Sequence, residues 1–258
     1  MTNQNHHYMK TRILTIALLA ASMLTACKSG LSGEITTEEI GIKPDFETIK
    51  ISGYARVTTN MDGKFVAVTT DKDLQKYVKV AVKGRTLVIK ANSDKIKRAG
   101  ERPVSISLPY SSVFKELKME GSSTFDFETM LAPHIKIELE GANIITGPLC
   151  CETMKLESEG SDQILIDTDA EKIDLDLNGS STAGTLMIPI KAARINCSLK
   201  GSCVAYVESG ETKGSVEDNS ELHYVGDQEC RAKASGSARI INDPDREPMD
   251  ITKIPRKL

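Results

Sequence analysis

The sequence predicts an all-β chain: a right-handed parallel β-helix of about 20-residue coils, preceded by a smaller antiparallel β unit. Three observations carry this. A short phrase ending in a turn residue returns at a near-constant interval. The residues before each turn alternate between apolar and polar, as half-buried strands do. The apolar residues also keep the same places in every copy, so equivalent residues stack into columns.

The chain opens with Lys10 and Arg12, followed by an apolar run from Ile13 to Ala26. A membrane-spanning helix needs about 20 apolar residues, so this run reads as part of a leader. It ends in "LTAC", Leu24 to Cys27, which resembles the bacterial lipobox. The resemblance implies that Cys27 becomes the first mature residue and carries diacylglycerol on its sulfur. Each buried acyl methylene contributes about 0.8 kcal/mol, so a few chains hold a folded domain on a membrane. Residues 1–26 are therefore assigned to a lipoprotein signal peptide. Residues 27–44 are assigned to the lipidated cysteine and a flexible tether. Lys28 stands where enterobacterial sorting rules place aspartate for inner-membrane retention. By that resemblance the chain is an outer-membrane lipoprotein, on the periplasmic or the outer side.

Residues 45–112 form the predicted N-terminal β unit. "ETIKISGYARVTTN" resembles one copy of the repeat, with Gly53 as its turn. "MDGK" is a hairpin signal, and "FVAVTT" follows it as a strand. "YVKVAVKGRTLVIKA" reads as a hairpin across Lys83, Gly84 and Arg85. "NSDKIKRAGERP" reads as a basic loop, and "VSISLP" as a further strand. An antiparallel unit here would block one open end of a helical stack.

Residues 113–242 hold the repeats, and residues 243–258 a proline-containing tail. The turn residues are Gly121, Gly141, Gly160, Gly179, Gly201, Asn219 and Gly236, at spacings of 20, 19, 19, 22, 18 and 17. Ile135, Ile137 and Leu139 precede one turn at alternate positions. Ile173, Leu175 and Leu177 precede another in the same places, and Cys230, Ala232 and Ala234 the last. Glycine suits a corner that needs positive φ, and asparagine is the usual substitute. The serine, asparagine and aspartate residues that follow can bond exposed backbone at the corner.

Composition excludes some functions. The 258 residues are 40% hydrophobic and 27% charged, as in a folded domain. A net charge of -3 gives no basic footprint for nucleic acid. Aromatic residues are 4% and tryptophan is absent, which disfavours a sugar cleft built on aromatic stacking. Besides Cys27 there are five cysteines, an odd number that cannot all pair within one chain. They read as small buried side chains, with Cys150 and Cys151 on opposite faces of a strand. A Cys197–Cys203 bridge is compatible with an oxidising envelope. No cofactor is indicated, and no catalytic or metal-ligand motif is present.

The outward positions hold the candidate binding face: Glu138, Glu140, Glu157, Glu159, Asp174 and Asp176. Like charges on neighbouring strands repel, so their collection there needs a reason. Calcium takes 6–8 oxygen ligands and could draw on such a face. The alternative is a solvated face relieved by the column of Lys118, Lys136 and Lys155, and strands are not the looped cage that calcium prefers.

The recurring "KΦxΦxGSS" phrase, the "SISLPYSSVFKELKMEG" junction and the closing "SELHYVGDQECRAKASGSARI" resemble the head GIN domain family. Tyr224, Gly226 and the turn Ser235 to Ser237 carry the resemblance best, and it spans residues 45–242. The family is described as autotransporter adhesins and is frequent among Bacteroidetes lipoproteins. The resemblance implies a lipid-anchored, non-catalytic envelope protein whose β-helical surface binds a polysaccharide or protein. Two other classes remain: a self-assembling envelope scaffold or signalling module, and a carbohydrate-active β-helix lyase or hydrolase.

Overall fold

The computed structural model describes residues 31–61, 63–100, 104–225 and 229–243. The predicted signal peptide, Cys27 and the tail beyond Asp243 lie outside them. The protein is 68% strand and 4% helix, with a β-solenoid of about 7 turns of roughly 19 residues. In chain order the elements are β1 (Ile35–Gly41), β2 (Thr48–Gly53), β3 (Ala55–Asn60), β4 (Phe65–Asp71), β5 (Val78–Lys83) and β6 (Thr86–Ala91). Helix α1 (Ser93–Gly100) leads to β7 (Val104–Pro109), β8 (Glu116–Gly121), β9 (Thr124–Asp126), β10 (Met130–Leu131) and β11 (His134–Gly141). Then come β12 (Ile144–Gly160), β13 (Gln163–Gly179), β14 (Thr182–Ala183), β15 (Ile190–Gly201) and β16 (Val204–Val216). The last three are β17 (Glu221–Tyr224), β18 (Glu229–Ala234) and β19 (Arg239–Asn242).

Three sides wrap one core. The first runs β5, β6, β2, β8 and β11, then the C-terminal halves of β12, β13, β15 and β16, and ends at β18. The second runs β1, β4, β7, β3 and β9, continues through the N-terminal parts of β12 and β13, β14 and the start of β16, and ends at β17 and β19. The third is short: Met130–Leu131 beside Leu149–Cys150 beside Thr168–Asp169, with Ile190 and Lys191 beside Val207 and Glu208. Alternation now has a physical meaning. Ile49, Leu117, Ile137, Leu156, Leu175 and Cys197 lie in register on successive rungs, and all are buried.

The corner between the first two sides explains the glycines. Gly53, Gly121, Gly141, Gly160, Gly179 and Gly201 are in register, and their φ values run from 97 to 135. A Cβ on Gly141 would lie 2.3 Å from the Gly121 carbonyl oxygen. Both conformation and space therefore demand glycine there. The 201-to-236 interval corrects the assignment of Asn219. The left-handed residue is Asp218, with φ 60, and its Oδ2 accepts the Gly201 N–H at 3.1 Å. Asn219 takes the next place, donating its N–H to the Gly201 carbonyl. The shift of one residue buries Thr212 and Val216.

The N-terminal unit departs from the sequence reading in four places. First, Ile35–Gly41 is not tether but strand β1, antiparallel to β4. Second, the copy read at Gly53 is part of the parallel stack itself rather than of a separate unit, and the β2–β3 coil lies between the later β6–β7 coil and the β8–β9 coil. Among the described residues antiparallel pairing is confined to the β1–β4, β4–β7 and β5–β6 ladders at the end of the stack. Third, the chain does reverse after β3, but β7 sits between β3 and β4, so "MDGK" does not join paired strands. Fourth, the basic loop contains α1. The Asn92 Oδ1 accepts the Lys95 N–H at 3.1 Å, an N-cap bond, and Ile96 is fully buried. The helix stands where other coils turn at glycine.

Candidate functional site

The outward columns of the first side form the candidate face. Strand pairing sets β8, β11, β12 and β13 about 4.8 Å apart. Glu138 lies opposite Lys118 and Glu157, and Glu157 opposite Asp176. Glu140 lies opposite Glu120 and Glu159, and Glu159 opposite Asn178.

The six predicted carboxylates divide into two sets. Glu138, Glu157 and Asp174 are neutralised. Lys118 Nζ lies 2.7 Å from Glu138, and Lys136 also pairs with Glu138. Lys136 and Lys155 lie 3.0 and 2.6 Å from Glu157. Lys172 lies 2.7 Å from Asp174, and Asn196 Nδ2 donates to Asp174 at 2.5 Å. Hydrogen bonds from Lys118 and Lys136 hold the Glu138 carboxyl below its ordinary range, and those from Lys155 and Lys136 do the same for Glu157. At Asp174 burial pushes upward, but the bonds from Lys172 and Asn196 outweigh it and the net shift is downward. The same contacts raise Lys118 and Lys136.

Glu140, Glu159 and Asp176 are the second set. They are exposed, and among the described residues none makes an ion pair. With Lys118, Glu138 and Asn178 they line a shallow concavity of about 390 Å³. Among the described residues no three His, Cys, Asp or Glu side chains are placed to hold a metal ion. Glu120 and Asn178, which the sequence reading did not name among the candidate residues, also line the concavity. Their place could have been found by extending the register of the acidic columns.

A second row lies at the corner, two residues after each turn, and faces inward. The N–H groups of Ala55, Ser123, Asn143 and Asp162 donate to the side chains of Ser123, Asn143, Asp162 and Ser181 on the next rung. Asp162 is 1% exposed. It accepts from the Asn143 N–H at 2.7 Å, Asn143 Nδ2 at 2.9 Å and Ser158 Oγ at 2.8 Å. The row satisfies buried polar groups and clips rungs together. It is structural.

A family model described as "Putative auto-transporter adhesin, head GIN domain" matches residues 45–227. The chain belongs to the head GIN domain family. No curated protein matches it. Several solved structures share the fold, among them the following three. A "putative adhesin" from Bacteroides fragilis has a TM-score of 0.68 at 17% identity, covering 82% of this chain and 98% of that one. A "Putative lipid binding protein" from Parabacteroides distasonis has 0.62 at 21%, covering 82% and 98%. A "putative adhesin" from Parabacteroides merdae has 0.61 at 17%, covering 82% and 97%.

The cysteines of this head GIN domain are free thiols. Cys150 is exposed and Cys151 buried, on opposite sides of β12. Burial pushes Cys151 up to about 11 and Cys197 up to about 12, so both stay protonated. Cys197 and Cys203 are not bridged. The Cys203 thiol donates to the Lys200 carbonyl at 3.2 Å.

Proposed function

We propose that this head GIN domain protein is a lipid-anchored, non-catalytic component of the cell envelope that binds an extended ligand on its first side. One observation carries the reading: Glu140, Glu159 and Asp176 remain unpaired on neighbouring rungs, in a chain that neutralises the adjacent carboxylates with lysine. Glu140 and Glu159 follow the strand repeat in one column and Asp176 stands in the adjacent column, which suits a polysaccharide or extended protein segment presenting several donors. Family membership supports an adhesive role. The lipobox resemblance at Cys27 supports anchoring in the outer membrane.

The lysine-paired carboxylates of this face are poor candidates for the general acid of a carbohydrate-active enzyme. Glycoside chemistry needs one carboxyl held protonated, hence raised. Glu138, Glu157 and Asp174 are all lowered.

The test is a glycan array and a matrix-protein screen with the mature chain, repeated with Glu140→Gln, Glu159→Gln and Asp176→Asn combined. Retained binding in the triple variant would remove this face from the reading. Protease treatment of intact cells places the domain: protection throughout means a periplasmic face, which no adhesin can use.

A further inference from the structure

The end of the solenoid nearest the N-terminus carries a basic hollow of about 690 Å³. Lys76, Tyr77, Lys79, Lys90, Asn92 and Asp94 are among the residues around it. Its composition is unusual for two reasons. Lys79 and Lys90 face each other directly across the β5–β6 ladder, a like-charge pairing that costs stability. Among the described residues neither they nor Lys76 form an ion pair, whereas on the next rungs of the same side Lys50, Lys118, Lys136 and Lys155 each meet a carboxylate. Lys76 Nζ sits over the Tyr77 ring, 5.2 Å from its centre. Three lysines against Asp94 leave the hollow cationic.

The second observation is how close in sequence Cys27 stands to a segment tied to this end. Ser32 N–H donates to Asp73 Oδ2 at 2.8 Å, and Ser32 Oγ to Asp71 Oδ1 at 3.0 Å. Gly33 N–H donates to Asp71 Oδ2 at 2.7 Å. These bonds fix Ser32 to the fold, and Ser32 is five residues after Cys27 in the sequence. At no more than about 3.6 Å per residue, Cys27 stays within ~18 Å of Ser32. Lys76 is three residues from Asp73, so at most about 11 Å further. An acyl group on Cys27 would thus hold this end against the phosphate layer of a bilayer, while Glu140, Glu159 and Asp176 sit on rungs further along the stack.

We propose that Lys76, Lys79 and Lys90 form a docking surface for anionic phospholipid headgroups, so that the solenoid stands on its N-terminal end. Proximity rests on the anchoring of Cys27; the charge arrangement does not. Salt-dependent partition of the unlipidated mature chain (residues 27–258 with Cys27→Ser) onto vesicles tests it. Vesicles of about one-third phosphatidylglycerol should bind better than pure phosphatidylcholine, and each Lys→Gln change in the hollow should weaken partition about fivefold. Lys172→Gln, on a distant rung, should leave partition unchanged. A triple variant that partitions like wild type overturns the proposal. So does equal binding to both vesicles, or capture of the chain by a sulfated polysaccharide without vesicle binding. Folding is checked separately: Lys79→Gln should melt no lower than wild type, because it relieves repulsion. Mass spectrometry showing an unmodified Cys27 in cells would defeat the anchoring reading alone, since the vesicle assay uses no lipid anchor.

Discussion

At the residue scale the corner is the most demanding place. Gly141 has φ 121 and no room for Cβ against the Gly121 carbonyl, whereas Gly84 has φ 60 with nothing within 4 Å. Gly141→Ala should cost about 3 kcal/mol, since backbone strain and overpacking each cost about 1–3 kcal/mol. Gly84→Asn should cost less than about 1 kcal/mol, because asparagine tolerates that region. Urea melts of the two variants check the contrast; equal losses would mean that space at the corner is not limiting. Asp162 gives a second test. Asp162→Ala leaves the buried Asn143 N–H without its acceptor, while Asn143 Nδ2 keeps the Glu140 carbonyl and Ser158 Oγ keeps Ser181 Oγ, so the loss is that of one unsatisfied buried group, about 1–3 kcal/mol. Asp162→Asn keeps an acceptor for Asn143, and its amide can face Ser158 Oγ, so it should lose clearly less. The sequence showed that glycine marks a corner, because only one residue type suits positive φ with no lateral space. It hid the choice between Asp218 and Asn219, since both tolerate the conformation and only rung register separates them.

At the element scale, strands were legible and the helix was not. Strands β8, β11, β12 and β13 repeat one inward pattern, so they announce each other. Helix α1 has Ile96 as its one buried apolar side chain among those described, which leaves no 3.6-residue stripe to read. Strand β1 was missed for a related reason: "ITTEEIG" is mostly exposed and pairs only at the end of the stack. The six carboxylates were found by alternation alone. Their division into paired and unpaired sets needed cross-strand register, which a single strand does not contain. The paired set makes stability depend on pH. Glu138 and Glu157 are lowered from 4.5 in the fold, so their contribution is complete above 4.5 and is lost as pH falls through the lower folded values. Melting temperature should therefore hold from neutrality to about pH 5 and drop below that. These pairs are partly exposed, worth about 0.5–1 kcal/mol each, so Glu138→Gln should lower Tm by about 2–4 °C at pH 7. It should converge on wild type only once pH has fallen below the lowered folded value, where the carboxylate is protonated in both states. A gap that persists there would assign the effect to packing rather than charge.

At the scale of the whole molecule the two ends are unequal, and this should govern how the solenoid opens. Each rung touches only its neighbours, so stability is close to a sum of rung and interface terms. At the N-terminal end, β1, β4 and β5 turn antiparallel, α1 brings in Ile96, and Leu74 is buried between β4 and β5. At the other end, β18 and β19 are paired on one side only among the described residues; β18 offers the core only half-buried Cys230 and Ala232, and β19 a half-buried Ile240. Less apolar area is removed from water there, at about 25 cal/mol per Å², so opening is cheapest at that end. Hydrogen exchange should be fastest in β18 and β19, slower in β16 and slowest in β11 to β13. Leu175→Ala, a buried change in the middle rungs expected to cost about 2–5 kcal/mol, should speed exchange from β13 toward β19 more than in β2 and β3. Uniform acceleration across all rungs would show instead that the stack opens as one cooperative unit. A gradient would show that the end carrying the basic hollow stays folded while the far end frays, as a domain standing on its N-terminal end requires.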